Sequence, residues 1–241
     1  MRAVWFVPVI MLCLASGCEN PVEIDSDTEI AIGRQGAADL EKQYGVVTDA
    51  AMQQRLDAIG RRVAAVSQEP SLPWTFRVLN SKEINAVCLP GGFVYAFKGM
   101  MDYVKSDDEL AGVIAHEVVH ADHHHSKEAI EKAMTASLLV ELVTQKSSTS
   151  IQQAARIALE LEMREGYRDK EYEADHYGTL YTFRAGYRAT GLRDLLSYLY
   201  EKEGDPSRIT WLLQSHPPLS KRIKRLDEYV PTLTGRGAAP G

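Results

Sequence analysis

His116-Glu117-Val118-Val119-His120 is an H-E-x-x-H pattern, and its residue types are those of metal-assisted hydrolysis. On a helix, residues four apart face the same way with Cβ atoms about 6 Å apart, so both imidazoles reach one ion at Zn–N distances near about 2 Å. Glu117 projects beside them, where it can take a proton from a metal-activated water. The flanking residues strengthen the case. From Leu110 to Ala121 the segment is apolar nearly all round apart from His116, Glu117 and His120. Such a helix is expected to be buried, and buried ionisable groups are costly unless they bind a metal or one another.

A catalytic zinc needs a third protein ligand and an open fourth position. His124 continues the same helix face, but it lies about 12 Å along the axis from His116, too far to share the ion. The extension H-E-x-x-H-x-x-G-x-x-H also fails, because His123 stands where it needs Gly and Ser126 where it needs His. The remaining candidate is Glu171-Tyr172-Glu173-Ala174-Asp175. Glu171 and Asp175 share one face, so Glu171 can bind the ion while Asp175 accepts the free ring N–H of a ligating His. Glu173 projects away from that face. The alternative is that all three acids form a solvated surface, as charge runs commonly do. His123, His124 and His125 read as a solvated helix end.

The elements that must position these groups follow from periodicity. Thr28 to Tyr44 and Asp49 to Val66 carry apolar residues at helical spacing. Between Trp74 and Leu79 the pattern alternates, Pro90-Gly91-Gly92 is a turn, and Phe93 to Phe97 is rich in strand formers, which predicts a small sheet. Ser106 and Glu109 form an S-x-x-E capping box ahead of the H-E-x-x-H helix. Later helices are predicted over 127–143, 151–165, 170–184, 192–203 and 219–229, with a polar Ser-rich loop at 145–150. The 241 residues, 45% hydrophobic and 25% charged, have ordinary globular usage and exclude collagen, a disordered tail or a polytopic membrane protein. Basic residues number 27 against 33 acidic, a net charge of −6, so a nucleic-acid partner is not expected.

The N-terminus reads as a targeting segment. Ala3 to Leu14 is apolar apart from one Pro, and Leu14-Ala15-Ser16-Gly17-Cys18 resembles the lipobox of bacterial lipoproteins, in which the Cys is lipidated. The expected organisation is a signal peptide over 1–17, a linker over 18–27 after lipidated Cys18, a catalytic domain over 28–231 and a flexible tail over 232–241. The alternative is a plain secretory signal cleaved near Gly17; with a lipidated Cys18, and in a cell that has an outer membrane, Glu19 in place of Asp points to that membrane, facing the periplasm. Cys88 then remains the only thiol of the mature chain, in the apolar run Ala86-Val87-Cys88-Leu89, and reads as a buried small hydrophobe.

Four blocks together resemble the HtpX and CAAX-prenyl-endopeptidase family of gluzincin metallopeptidases, and within it the soluble envelope branch that includes BepA and LoiP. They are Asn85-Ala86 with Pro90-Gly91-Gly92, Glu109 to His120, Glu171 to Gly178, and Ser215-His216-Pro217 followed by Arg222. The resemblance implies one Zn2+ per chain on His116, His120 and Glu171. It also implies a histidine, His216, lying over the metal to stabilise an oxyanion or to close the resting site. Gly92, Phe93, Val94, Tyr95 and Ala96 would be the exposed edge on which an extended polypeptide pairs. The expected fold is α+β and zincin-like, mainly helical with a small mixed sheet. The expected activity is hydrolysis of peptide bonds in envelope or misfolded proteins, with envelope assembly machinery as a possible partner and a lipid anchor as the contact with membrane. The alternative is a zinc-containing lipoprotein that acts mainly as a chaperone or assembly factor with a closed site.

Overall fold

A computed structural model describes residues 23–136, 148–162, 168–202 and 218–235. Helix α1 spans Ser26–Tyr44 and begins where the Asp25 carboxylate accepts from the Thr28 amide. Helix α2, Ala50–Ala64, starts in the same way from Asp49. Asp is a favoured N-cap because its side chain satisfies an amide that has no intrahelical partner. Part of the expected linker belongs to the fold, since Ile24 is buried and its amide donates to Glu131 Oε1 at 2.8 Å.

Three strands follow: β1, Thr75–Leu79; β2, Ala86–Leu89; and β3, Phe93–Phe97. Their order is β1-β3-β2, with β1 parallel to β3 and β2 antiparallel to it, the small mixed sheet that was expected. Gly91 and Gly92 have φ of 75° and 91°, a left-handed backbone that glycine adopts without a Cβ penalty. They turn the chain from β2 into β3. The expectation that residues 92–96 form an exposed edge is overturned, because β3 is the central strand with a partner on each side and all five of its residues are buried. The physical reason is visible in Phe93-Val94-Tyr95-Ala96-Phe97, which is apolar on both faces and so is covered on both.

A short helix, α3, Lys98–Tyr103, leads to α4, Asp107–Asp122, whose Ser106 cap accepts from the Glu109 amide. Glu109 completes the cap one residue early, its Oε2 accepting from the Lys105 amide at 2.7 Å. Every residue of α4 from Glu109 to Asp122 is buried, as its all-round apolar sequence requires. The remaining helices are α5, His125–Ala136; α6, Ser148–Glu162, which packs on α1 and α5; α7, Arg168–Arg184, and α8, Gly191–Glu201, which pack against α4 together with α2; and α9, Leu219–Thr234, which lies on α7 and α8. The last of these runs beyond the expected domain end at 231. Cys88 is buried, as its apolar surroundings in the sequence predict. Among the described residues no helix is long and apolar enough to cross a membrane.

Helices α4 and α7 meet almost backbone to backbone. A Cβ added at Gly178 would lie 2.9 Å from the His116 nitrogen and 3.0 Å from its Cα. Gly178→Ala should therefore destabilise the chain by ~1–3 kcal/mol through overpacking, although Ala is the better helix former. Thermal unfolding should fall by about 2–4 °C for each kcal/mol, and an unchanged or higher melting temperature would contradict this account of the contact.

Candidate metal centre

The two histidines of the H-E-x-x-H helix and the first acid of α7 converge. His120 Nε2 lies 3.2 Å from His116 Nε2, while Glu171 Oε2 is 3.4 Å from His116 Nε2 and its Oε1 is 3.4 Å from His120 Nε2. A tetrahedral ion with ligand bonds of about 2.0–2.1 Å sets its ligand atoms about 3.3–3.4 Å apart. The observed spacings match that edge length. All three residues are buried, and their facing acceptor atoms need a cation between them, a proton on His116 in the metal-free chain or a metal ion in its place. The residues present fit a divalent ion held by two imidazoles and a carboxylate.

What orients His116 is Asp175. Its Oδ1 lies 3.1 Å from His116 Nδ1, which fixes the proton on Nδ1 and leaves Nε2 free to ligate. Asp175 is itself held by Arg222, whose Nε donates to Oδ2 at 2.8 Å and whose Nη2 donates to Oδ1 at 2.6 Å. Burial works against the Asp175 charge, but the Arg222 guanidinium outweighs it and holds the carboxyl at about 2. Burial likewise opposes a charge on His116, yet Asp175 and Glu171 together raise its pKa to about 10. Glu117 is buried beside His116, on a small cavity walled by Val113, Leu195, Leu196 and Met100. The same cavity is lined by His116 and Arg222, so the carboxylate has apolar walls on one side and the buried guanidinium on another, and the low local dielectric strengthens its interaction with any developing charge.

Of the residues singled out from the sequence, His116, His120, Glu117, Glu171 and Asp175 are brought together, whereas Phe93 to Ala96 lie in the central strand and Gly92 in the buried turn that leads into it. His216 and Cys18 lie outside the described residues. Two features were missed. Arg222 stood in a motif with no role attached, and nothing in the sequence pairs it with Asp175. The three consecutive histidines are not a solvated end. His125 is 5% exposed, and burial together with the neighbouring His120 lowers its pKa to about 3, so it is neutral. His123 Nδ1 meets Glu173 Oε1 at 2.8 Å, and His124 Nδ1 meets Glu29 Oε1 at 3.0 Å. The cause is a loop packed over the end of α4: the Asp122 carboxylate accepts from the amides of Gln68 at 3.0 Å and Glu69 at 2.6 Å.

Comparison with known proteins gives a consistent picture. The sequence profile described as peptidase family M48 matches residues 50–230. The mitochondrial metalloendopeptidase OMA1 of Schizosaccharomyces pombe is 30% identical over 172 residues, 71% of this chain and 51% of that protein. The beta-barrel assembly-enhancing protease of Escherichia coli K12 is 24% identical over 205 residues, covering 81% of this chain and 42% of the relative. Metalloprotease YcaL of the same organism is 25% identical over 246 residues, 90% of this chain and 92% of the relative. The chain thus spans about half the length of the first two.

The raised pKa of His116 has a measurable consequence. A group at about 10 is protonated in the metal-free chain at neutral pH, and Nε2 must lose that proton to ligate. Binding of Zn2+ between pH 7 and 9 should release about one proton per chain from this group, with affinity rising about tenfold per pH unit until the pKa is passed. Calorimetric titration in buffers of different ionisation enthalpy measures the number released, and a value near zero would contradict the assignment.

Proposed function

The chain belongs to peptidase family M48, and from that premise we propose that it is a zinc metalloendopeptidase of the bacterial cell envelope. Its metal is held by His116, His120 and Glu171, and its general base is Glu117. The observation that carries this reading is the convergence of two imidazole nitrogens and a carboxylate at 3.2 to 3.4 Å, next to a second buried carboxylate. When bound, the ion supplies Lewis acidity, which lowers the pKa of a water and polarises a carbonyl.

The chain's own residues do the rest. Glu117 takes the proton of the attacking water on a side-chain oxygen and passes it to the nitrogen of the departing amine, which would otherwise leave as an unstable anion. Asp175 and Arg222 keep His116 in one tautomer through the cycle, so the site need not reorganise as charge develops. The apolar wall of Val113, Leu195 and Leu196 keeps water away from Glu117 on one side and strengthens its interaction with the developing charge. The family resemblance of Ser215-His216-Pro217 gives His216 a role in the same reaction, stabilising an oxyanion or closing the resting site.

The substrate class is polypeptide, with envelope proteins as the expected source. The name of one bacterial relative, beta-barrel assembly-enhancing protease, supports that setting. The lipobox-like residues 14–18 support anchoring through Cys18 to the outer membrane.

Two experiments test the proposal. Glu117→Gln should lower hydrolysis of an unfolded polypeptide by at least about 10²-fold while zinc stays near one per chain, since the residue moves protons and does not ligate; equal activity would refute the protease reading. Cys18→Ser should release the protein from the membrane fraction of the natural host, and retention of that variant there would refute the anchor.

A further inference from the structure

Helix α4 does not run on into α5. His123 has φ −97° and ψ 10°, and His124 takes the left-handed φ of 54°, a region costly for most side chains though His is among the residues enriched there. In an unbroken helix residue 125 would stand about 140° around the axis from residue 120, at 3.6 residues per turn. The break instead folds His125 back beneath the last turn of α4. Its ring stands edge-on to His120, with centroids 5.0 Å apart at 83°, and the two Nδ1 atoms are 3.1 Å apart.

Proton bookkeeping decides what this contact does. A neutral imidazole has one N–H and one lone pair. His120 presents Nε2 to the metal position, so its proton is on Nδ1, and that proton points at His125 Nδ1. His125 must then accept there and carry its own proton on Nε2. Among the described residues that nitrogen is buried without a hydrogen-bond partner, and the carboxylate oxygen Glu173 Oε2 is 3.6 Å away.

We propose that His125 is a positioning residue for the metal site: by accepting the Nδ1 proton of His120 it fixes the tautomer and orientation in which His120 Nε2 faces the ion. It does for His120 what Asp175 does for His116. The inference rests on the reading that His116, His120 and Glu171 hold the metal. A second ion on His123, His125 and Glu173, whose ligand atoms lie within 4.8 Å of one another, is the competing assignment. It would take the lone pair of His125 Nε2 and so put a proton on His125 Nδ1, facing the Nδ1 proton of His120 donor to donor. The two roles exclude each other, and the contact with His120 favours positioning.

The test compares His125→Leu, which removes the acceptor, with His125→Asn, whose Oδ1 occupies the place of Nδ1. Zinc affinity is read by chelator competition, and the ligand field by the visible spectrum of the Co2+-substituted chain. The Leu variant should bind zinc about 10- to 100-fold more weakly with an altered cobalt spectrum, and the Asn variant should fall within about threefold of wild type. Equal affinity and spectra in wild type and His125→Leu would overturn the inference alone, as would equal losses in both variants, which would mark a packing role. A second zinc in wild type that is lost in His125→Leu would overturn it in favour of a metal site. A wild-type chain that binds no zinc would overturn the metal-site reading and this inference with it.

Discussion

Arg222 and Asp175 form a two-pronged ion pair at 2.6 and 2.8 Å with neither side chain more than 4% exposed, and the geometry of the metal centre depends on it. Taking both charges out of water is costly, and their attraction repays this only when the hydrogen bonding is good. Here it is bidentate. Losing either partner would leave a buried charge unpaired, a cost of about 3–5 kcal/mol. The pair also ties three helices together, since Arg222 stands on α9, Asp175 on α7 and His116 on α4. The ring that ligates is therefore held by tertiary structure.

The same polar cluster explains why α4 tolerates ionisable residues on a fully buried helix. Glu117, Glu171 and Asp175 are three buried carboxyl groups, and Arg222 is one buried cation. With the acids ionised and both imidazoles neutral, as ligation requires, the cluster lacks two positive charges, of which a proton on His116 supplies one in the metal-free chain. A divalent ion between His116, His120 and Glu171 supplies them. Charge balance thus agrees with the occupant that the ligand spacing indicates.

The site is also asymmetric. His116 leans on a carboxylate backed by a guanidinium, whereas His120 leans on a neutral ring. A carboxylate partner raises the basicity of the ligating nitrogen more than a neutral acceptor does. The partners of His116 come from distant helices, whereas His120 is met by the first residue of the next helix, α5.

Several features were legible in the sequence because their cause is local. Four-residue spacing put His116 with His120 and Glu171 with Asp175 on shared faces. Asp49 and Ser106 marked helix starts, and Pro90-Gly91-Gly92 marked the turn between strands. What the sequence left open depends on which segments pack together. The Phe93–Phe97 run is equally a strand whether it lies at the edge or the centre, and only pairing with β1 on one side and β2 on the other made it central. Three consecutive histidines look solvated until residues 67–69 and α7 close over them, and a single left-handed residue at His124 decides that His125 reaches His120. Arg222 is 47 residues from Asp175, and no period of helix or strand spans that separation. Periodicity records which face of an element a residue occupies; only the packing of elements against one another fixes what that face meets.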